Sequence, residues 1–362
     1  MIFRTFNEAM RERYGGKVYR IALSASVSCP NRDGTVGTGG CIFCSEGGSG
    51  EYAEKPGDGS ESEGLQGHVR EHVREPDTGR GCADGCVQNG NDRTDTVRPA
   101  SCADAEIKAA VDGQIDRAIA RIASKAGKEP AGYIAYYQAY TGTYGDLEYL
   151  EKVYTQAASR DDILALSIGT RPDCLGDDVL AMIGRLARIK PVWIELGLQT
   201  SRDDTGRLIN RGYDTAVYDE AVRKLKRLSR EISEEISAPV DIPPVEVITH
   251  MIVGLPGEDD ADAVETARHI AAAGSDGIKI SLLYVLKGTE LGRRYFEDKS
   301  IIKEYNLEEY TDLLIRILQE LPDDMTVHRI TGDAPKSLLI EPAWTADKKK
   351  VLNYMTKALR EV

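Results

Sequence analysis

The chain has 362 residues, 41% of them hydrophobic, a net charge of −13 and seven cysteines. This length suits one large α/β barrel or two ordinary domains with a sizeable core. An apolar run of about 18 residues, which a membrane helix needs, is absent, and MIFRTFNEAMRERYGG at the start has no secretory pattern, so a cytoplasmic protein with no membrane contact is expected.

In chain order, VYRIALSA (18–25) predicts a strand running into the loop CPNRDGTVGTGGCIFCS (29–45). Residues 46–104 are rich in Gly, Glu, Asp and Arg and poor in aliphatic clusters, and read as a long, polar, mobile insertion. Residues 105–126 have helical apolar spacing, and GYIAYYQAY (132–140) reads as a strand. Strands follow at 162–170, 191–200, 244–254 and 277–286, separated by helical patterns, one of them over about 214–236. Helices take most of the C-terminus, with a short strand near MTVHRI (325–330). Six strands, each followed by a helix and apolar in the manner of parallel strands, predict an α/β partial (β/α)6 TIM-like barrel with a C-terminal helical extension. Polar and glycine-rich signals stand just after the strands, where such barrels build their sites. The expected divisions are 1–45 (first strand and cysteine loop), 46–104 (insertion), 105–300 (rest of the barrel) and 301–362 (extension).

The negative charge is uneven. Residues 51–106 carry 13 Asp/Glu and 6 Lys/Arg, whereas RKLKRLSR (223–230) and DKKKVLNYMTKALR (347–360) are basic. Such runs usually form solvated helix faces, so charge neither excludes an RNA partner nor suggests one.

The cysteine loop holds Cys29, Cys41 and Cys44. An odd number of thiols in a large chain argues against a disulfide framework. Three uses compete. Structural zinc usually takes four closed ligands, and only Cys82 and Cys86 could complete the set. A redox CxxC at 41–44 would leave Cys29 idle. An iron–sulfur cluster on three thiolates would leave one iron open, and the loop glycines would let the backbone wrap it closely. Cys82, Cys86 and Cys102, with His68 or His72, could hold a second metal, and Cys174 reads as a plain buried thiol.

The motifs CPNRDG–GGCIFCS, AYYQAYTGTY, LSIGTRPDCL, WIELGLQ, INRGYD, HMIVGLPGE, GIKISLLYVLKGT and HRITGDAP span roughly residues 17–345. Through them the chain resembles the radical S-adenosylmethionine (SAM) enzymes, and among these the YhcC/YtqA-type family, related to the elongator catalytic-subunit radical SAM domain. The resemblance implies a [4Fe–4S] cluster on Cys29, Cys41 and Cys44, with SAM on the fourth iron. It also implies reductive cleavage of SAM to a 5′-deoxyadenosyl radical that abstracts a substrate hydrogen. A reductant such as flavodoxin or ferredoxin is implied with it.

The family leans towards tRNA, converting a wobble-uridine 5-carboxymethylaminomethyl side chain to 5-aminomethyl. A small-molecule substrate, or a non-enzymatic zinc scaffold, is the alternative. Related coproporphyrinogen-type enzymes hold SAM with a Gln and an Arg spaced like Gln199 and Arg211. Glu195 shares a strand face with Gln199 and suits the SAM amino group or an Arg partner. Gly169 stands where those enzymes have a Glu, a departure that leaves the SAM ammonium contact unassigned. Thr170 and Arg171 are further SAM candidates, Arg171 being equally suited to a structural salt bridge. Gly254 and Gly257, in GLPGE, resemble the adenine-side turn. Tyr137, Gln138, Tyr140 and His250 are candidates for the substrate side, although a lone strand histidine and a tyrosine facing a helix are more often core residues.

Overall fold

The computed structural model describes residues 3–48, 50, 52–54, 100–123, 129–239 and 242–361. Its strands are β1 (Arg4–Thr5), β2 (Val18–Leu23), β3 (Gly132–Tyr137), β4 (Ile163–Thr170), β5 (Val192–Gln199), β6 (Val245–Val253), β7 (Gly277–Leu282), β8 (Val285–Leu286), β9 (Thr326–Arg329) and β10 (Leu339–Glu341). Eight of them form one parallel sheet in the order β1-β9-β7-β6-β5-β4-β3-β2, and β8 pairs antiparallel with β10. The sheet curls into a half-barrel. This is the expected α/β partial barrel, with β9 and β1 extending its far edge. None of the helices among the described residues is long and apolar enough to cross a membrane.

Helices α2 (Ala100–Ala123), α3 (Leu147–Ala158), α4 (Asp177–Ala187), α6 (Thr215–Ile236), α7 (Asp260–Ala273) and α9 (Leu307–Leu318) cover the convex face. Between them lie α1 (Phe6–Tyr14), α5 (Asp203–Leu208) and α8 (Glu290–Glu297), and α10 (Lys348–Glu361) ends the chain. Alternation along each strand sends Ile21, Leu166, Ile194, Val247 and Ile278 outward into the helix layer, where all are buried. Residues of the opposite parity face the concave side. Nearest the strand N-termini these are Val18, Ile134, Ala165, Trp193 and Ile248, a second apolar cluster that also contains Met10 of α1. Helix α1 starts at a Thr5–Glu8 capping box and stops at Gly15. It plugs that end. Arg13 donates to both Glu246 carboxylate oxygens at 2.5 and 3.1 Å, and Trp193 Nε1 donates to the same carboxylate at 3.0 Å.

Three expectations change in detail. The run 277–286 breaks into β7 and β8 at Leu283 and Tyr284, because β8 leaves the sheet to pair with β10. The helix expected from 105 begins at Ala100. Residues 46–54, assigned to the insertion, belong in part to the barrel: Glu54 N–H donates to Ala22 O at 2.8 Å, and its carboxylate pairs with Arg117 and Arg121 of α2. Most of the expected insertion, with Cys82, Cys86, His68 and His72, lies outside the described residues, and Cys102 is described only as backbone of α2.

The plug is testable. Arg13→Met leaves a buried Glu246 carboxylate without its cation and should cost about 3 kcal/mol in urea unfolding, since breaking a buried pair strands a charge. The double variant Arg13→Met/Glu246→Met should recover much of that loss; equal losses in both would show that the pair does not hold the plug.

Candidate active site

Beyond the strand C-termini lies a cavity of about 500 Å³. All three loop cysteines line it. The loop is folded by its own polar residues. Asn31 is 1% exposed; its O accepts from Gly40 N at 2.8 Å and its Nδ2 donates to Asn210 O at 2.6 Å. Asn210 answers with Nδ2 to Gly40 O at 2.7 Å, and Ile42 N donates to Ile209 O at 3.1 Å. A Cβ on Gly37 would run into the Asn31 side chain, so only glycine fits there. Arg32 braces the far side through the carbonyls of Cys44 and Ser45. Cys44 N donates to Cys41 O at 2.9 Å, closing the CxxC turn.

Burial pushes the Cys41 thiol up to about 12, and Cys44 and Cys29 push in the same direction, against Arg171 and the Asn31 amide. A thiol buried in this way becomes a thiolate readily only beside a strong cation. Among the described residues, no three His, Cys, Asp or Glu side chains converge tightly enough for a single metal ion. A multi-iron cluster gives each thiolate its own iron, and three thiols on one cavity wall fit that donor set.

Below the thiols the concave side chains form two further tiers. The upper one contains Ala22, Gln138, Gly169, Gly197 and Ser281, small or uncharged groups that leave space. The lower one is ionic. Glu195 is 1% exposed; it accepts from Ser167 Oγ at 2.6 Å, from His250 Nε2 at 2.6 Å and from Lys279 Nζ. Lys279 Nζ lies 4.1 Å from the centre of the Tyr136 ring. Arg20 and Arg329 complete the tier and line the cavity. Burial alone would raise the Glu195 carboxyl, but Lys279 and His250 outweigh it and hold the group well below the usual carboxylate range. Burial, with Lys279 beside it, takes His250 down to about 4 against the pull of Glu195. Burial and the neighbouring Arg20 hold His328 well below its usual range.

The structure sorts the expected residues. Gln199, Thr170, Arg171, Glu195, Gln138, Tyr140 and His250 line the cavity with the cysteines. Gln199 sits at φ 63°, beside the register shift of β5 against β6. A non-glycine residue held there marks a position the surroundings impose. Thr170 Oγ1 is 2.6 Å from Thr143 Oγ1. Tyr140 donates to Glu46 O at 2.5 Å.

Arg211 does not reach the cavity. It is fully buried and its five N–H groups go to the oxygens of Leu198, Thr200, Tyr213, Asp203 and Thr215, so it clamps the segment after β5 and keeps no donor for a SAM carboxylate. Arg171 takes the salt-bridge alternative, donating to both Asp173 carboxylate oxygens at 2.9 and 2.6 Å and to Arg211 O at 3.0 Å. Gly254 and Gly257 stay off the cavity wall, which Met251 and Ile252 form instead; their φ values of 84° and 78° serve the turn. Tyr137 points the other way, edge-on to Tyr154 of α3 at 4.7 Å, because its parity is outward. Cys174 is partly exposed. Sequence reasoning missed Asn31, Asn210, Lys279, Arg20 and Arg329. The even spacing of Arg20 with Val18 and Ala22 on β2, and of Lys279 with Gly277 and Ser281 on β7, was the available signal.

Residues 34–270 match the radical SAM superfamily model and residues 275–361 the Radical_SAM C-terminal domain model. The chain is 34% identical to the uncharacterized protein YtqA of Bacillus subtilis over 357 residues, covering 99% of this chain and 89% of that protein. It is 28% identical over 152 residues to the tRNA-2-methylthio-N(6)-dimethylallyladenosine synthase of Clostridium botulinum, covering 42% of this chain and 30% of that protein. Among solved structures, the archaeal Methanocaldococcus infernus Elp3 superposes with a TM-score of 0.52 at 19% identity, covering 70% of this chain and 58% of that one, a likeness of fold.

Two measurements separate clamp from ligand. Arg211→Lys should lower the thermal midpoint with no ligand present, whereas Gln199→Ala should leave it within a degree or two; an unchanged midpoint for Arg211→Lys would overturn the clamp. The histidines give a pH signature. A histidine with a depressed folded-state pKa takes up less proton than in the unfolded chain, so stability is unaffected above about pH 6.5 and falls as pH drops towards 4. His250→Gln should flatten that fall, read from thermal midpoints between pH 7.5 and 5.

Proposed function

The chain belongs to the radical SAM superfamily, and on that premise we propose that Cys29, Cys41 and Cys44 hold its cluster, with SAM beside it against Thr170 and Gln199. It is an enzyme whose cofactors are a [4Fe–4S] cluster and SAM. The observation that carries the residue assignment is that the three thiols line one cavity with a polar floor. Bound together, cluster and SAM supply a one-electron cleavage of SAM and a radical able to take a hydrogen atom from substrate. The chain's own residues do the rest. Asn31 and Asn210 orient the loop, and Arg171 places a positive charge beside Cys29. Phe43, Met251, Ile252 and Leu283 supply apolar wall that excludes water, and a flavodoxin- or ferredoxin-like reductant would deliver the electron.

The substrate we infer is tRNA, at a wobble uridine whose 5-carboxymethylaminomethyl side chain becomes 5-aminomethyl. The resemblance to the YhcC/YtqA-type family supports it, as does the partial similarity to a synthase named for a modified tRNA nucleoside. The basic start of α10 adds a physical reason. Lys348 pairs at 2.5 Å with Asp333, which lines the cavity, so the basic start of this helix adjoins the site a phosphate backbone would approach. A flipped base could then enter between Gln138, Tyr140 and His250.

After anaerobic reconstitution, the wild-type protein with SAM and dithionite should release 5′-deoxyadenosine, and Cys29→Ala, Cys41→Ala and Cys44→Ala should each reduce it at least a hundredfold. A colourless zinc protein without this product would refute the cluster assignment. Incubation with tRNA carrying the carboxymethylaminomethyl group should yield 5-aminomethyluridine by nucleoside mass spectrometry. SAM cleavage with unaltered tRNA would move the substrate to the small-molecule class.

A further inference from the structure

We propose that the inner end of the cavity is a subsite for a carboxylate of the substrate, held by Arg20 and Arg329. The inference rests on reading this cavity as the substrate site, and deepens that reading by naming what the floor recognises.

The charges of the lower tier do not balance. Glu195 is its one carboxylate, and Ser167, His250 and Lys279 already use it. With Lys279 protonated the pair sums to zero; burial, with Arg20 and Arg329 nearby, pulls the Lys279 ammonium well below its usual range, and with Lys279 neutral Glu195 offsets one guanidinium of the tier. His250 and His328 are held neutral by burial. Two guanidiniums remain, and a guanidinium does not give up its proton in a protein. The direct contacts of Arg20 are neutral: it donates to His328 Nδ1 and lies 4.0 Å over the Phe6 ring, while the Glu195 carboxylate acts on it through space without an ion-pair contact. Arg329 donates to Ser281 Oγ at 2.9 Å. Among the described residues neither makes an ion pair, and the Nε atom of each is buried with no hydrogen-bond partner.

The tier thus carries at least one buried positive charge in excess, with both guanidiniums lacking a direct anionic partner, which is unfavourable unless something enters to pair with it. Both line the cavity. The other carboxylate on the cavity wall, Asp333, is already paired with Lys348. A missing anion on the floor therefore has to come from the ligand. A terminal carboxylate suits the site, because its planar pair of oxygens matches the guanidinium fork. A backbone phosphodiester carries a nucleoside on each side and cannot reach the closed end while its base occupies the mouth. The side chain that the proposed substrate would lose ends in such a carboxylate.

The test uses the reconstituted enzyme with SAM and two anticodon stem–loop RNAs, one bearing 5-carboxymethylaminomethyluridine and one bearing its carboxamide. Fluorescence anisotropy should show the acid binding at least tenfold tighter. Arg329→Gln should abolish that preference while leaving the amide affinity within twofold, and Arg329→Lys should restore part of it. The acid-to-amide ratio of the wild type needs no variant, so a misfolded Arg329→Gln does not block the test. A second arm compares acetate with acetamide and chloride at constant ionic strength, read as thermal midpoint. Acetate should stabilise the wild type and not Arg329→Gln. If both RNAs bind equally and acetate does no better than chloride, the carboxylate subsite is overturned while the tRNA reading stands. If neither RNA binds but acetate stabilises, the tRNA reading fails and the subsite stands. Failure in both arms overturns both.

Discussion

A half-barrel of parallel strands encloses a cavity only if its interior is sealed at one end. Here the seal is the α1 plug, where Arg13 and Trp193 share the Glu246 carboxylate above an apolar floor of Val18, Ile134, Ala165 and Ile248. Everything above depends on it. With the N-terminal end filled, the inward positions two and four residues further along each strand are free to carry polar groups, since they no longer have to supply the core. The ionic tier around Glu195, and then the open tier with Gly169 and Gly197, follow from that division of labour.

The same economy explains how a long loop is kept in one shape. The cysteine loop has little apolar packing of its own; the Asn31–Asn210 exchange and the Ile42–Ile209 bond fasten it to the segment after β5. That segment is in turn fixed by Arg211, which gathers the carbonyls of Leu198, Thr200 and Tyr213. Arg171 joins the two by donating to Arg211 O. The thiols are thus positioned through a chain of buried hydrogen bonds that also runs past Gln199, so the proposed cluster and SAM contacts would share one rigid support.

Surface and interior carry opposite electrostatic character. The chain is net negative by 13, much of it in residues 51–106, yet among the described residues its cavity floor holds two guanidiniums that make no ion pair. Net charge describes long-range behaviour in water, where salt screens it within about 10 Å. A buried subsite is governed instead by the few groups that face it. For this reason the overall acidity says nothing against an anionic substrate.

Much of the fold and the heart of the site were legible in the sequence, because both rest on local pattern. Apolar runs separated by helical periods marked the six main strands to within a few residues, and the glycines around Cys29, Cys41 and Cys44 marked a wrapped loop at the first strand's end. The alternation rule also placed Glu195 and Gln199 on one face. What sequence could not give was the partner of each polar group. Glu195 meets Lys279 across 84 residues and Arg20 meets His328 across 308, so composition and spacing cannot distinguish a saturated cation from an unpaired one. Arg211 and Arg20 show the consequence. The first, in a motif, proved to have all five donors occupied by the protein, whereas the second, in a strand noted only for its apolar pattern, faces the cavity. Pattern along the chain decides which residues point inward; only closure of the sheet decides what they find there, because hydrogen bonds and ion pairs act over distances that the fold alone sets.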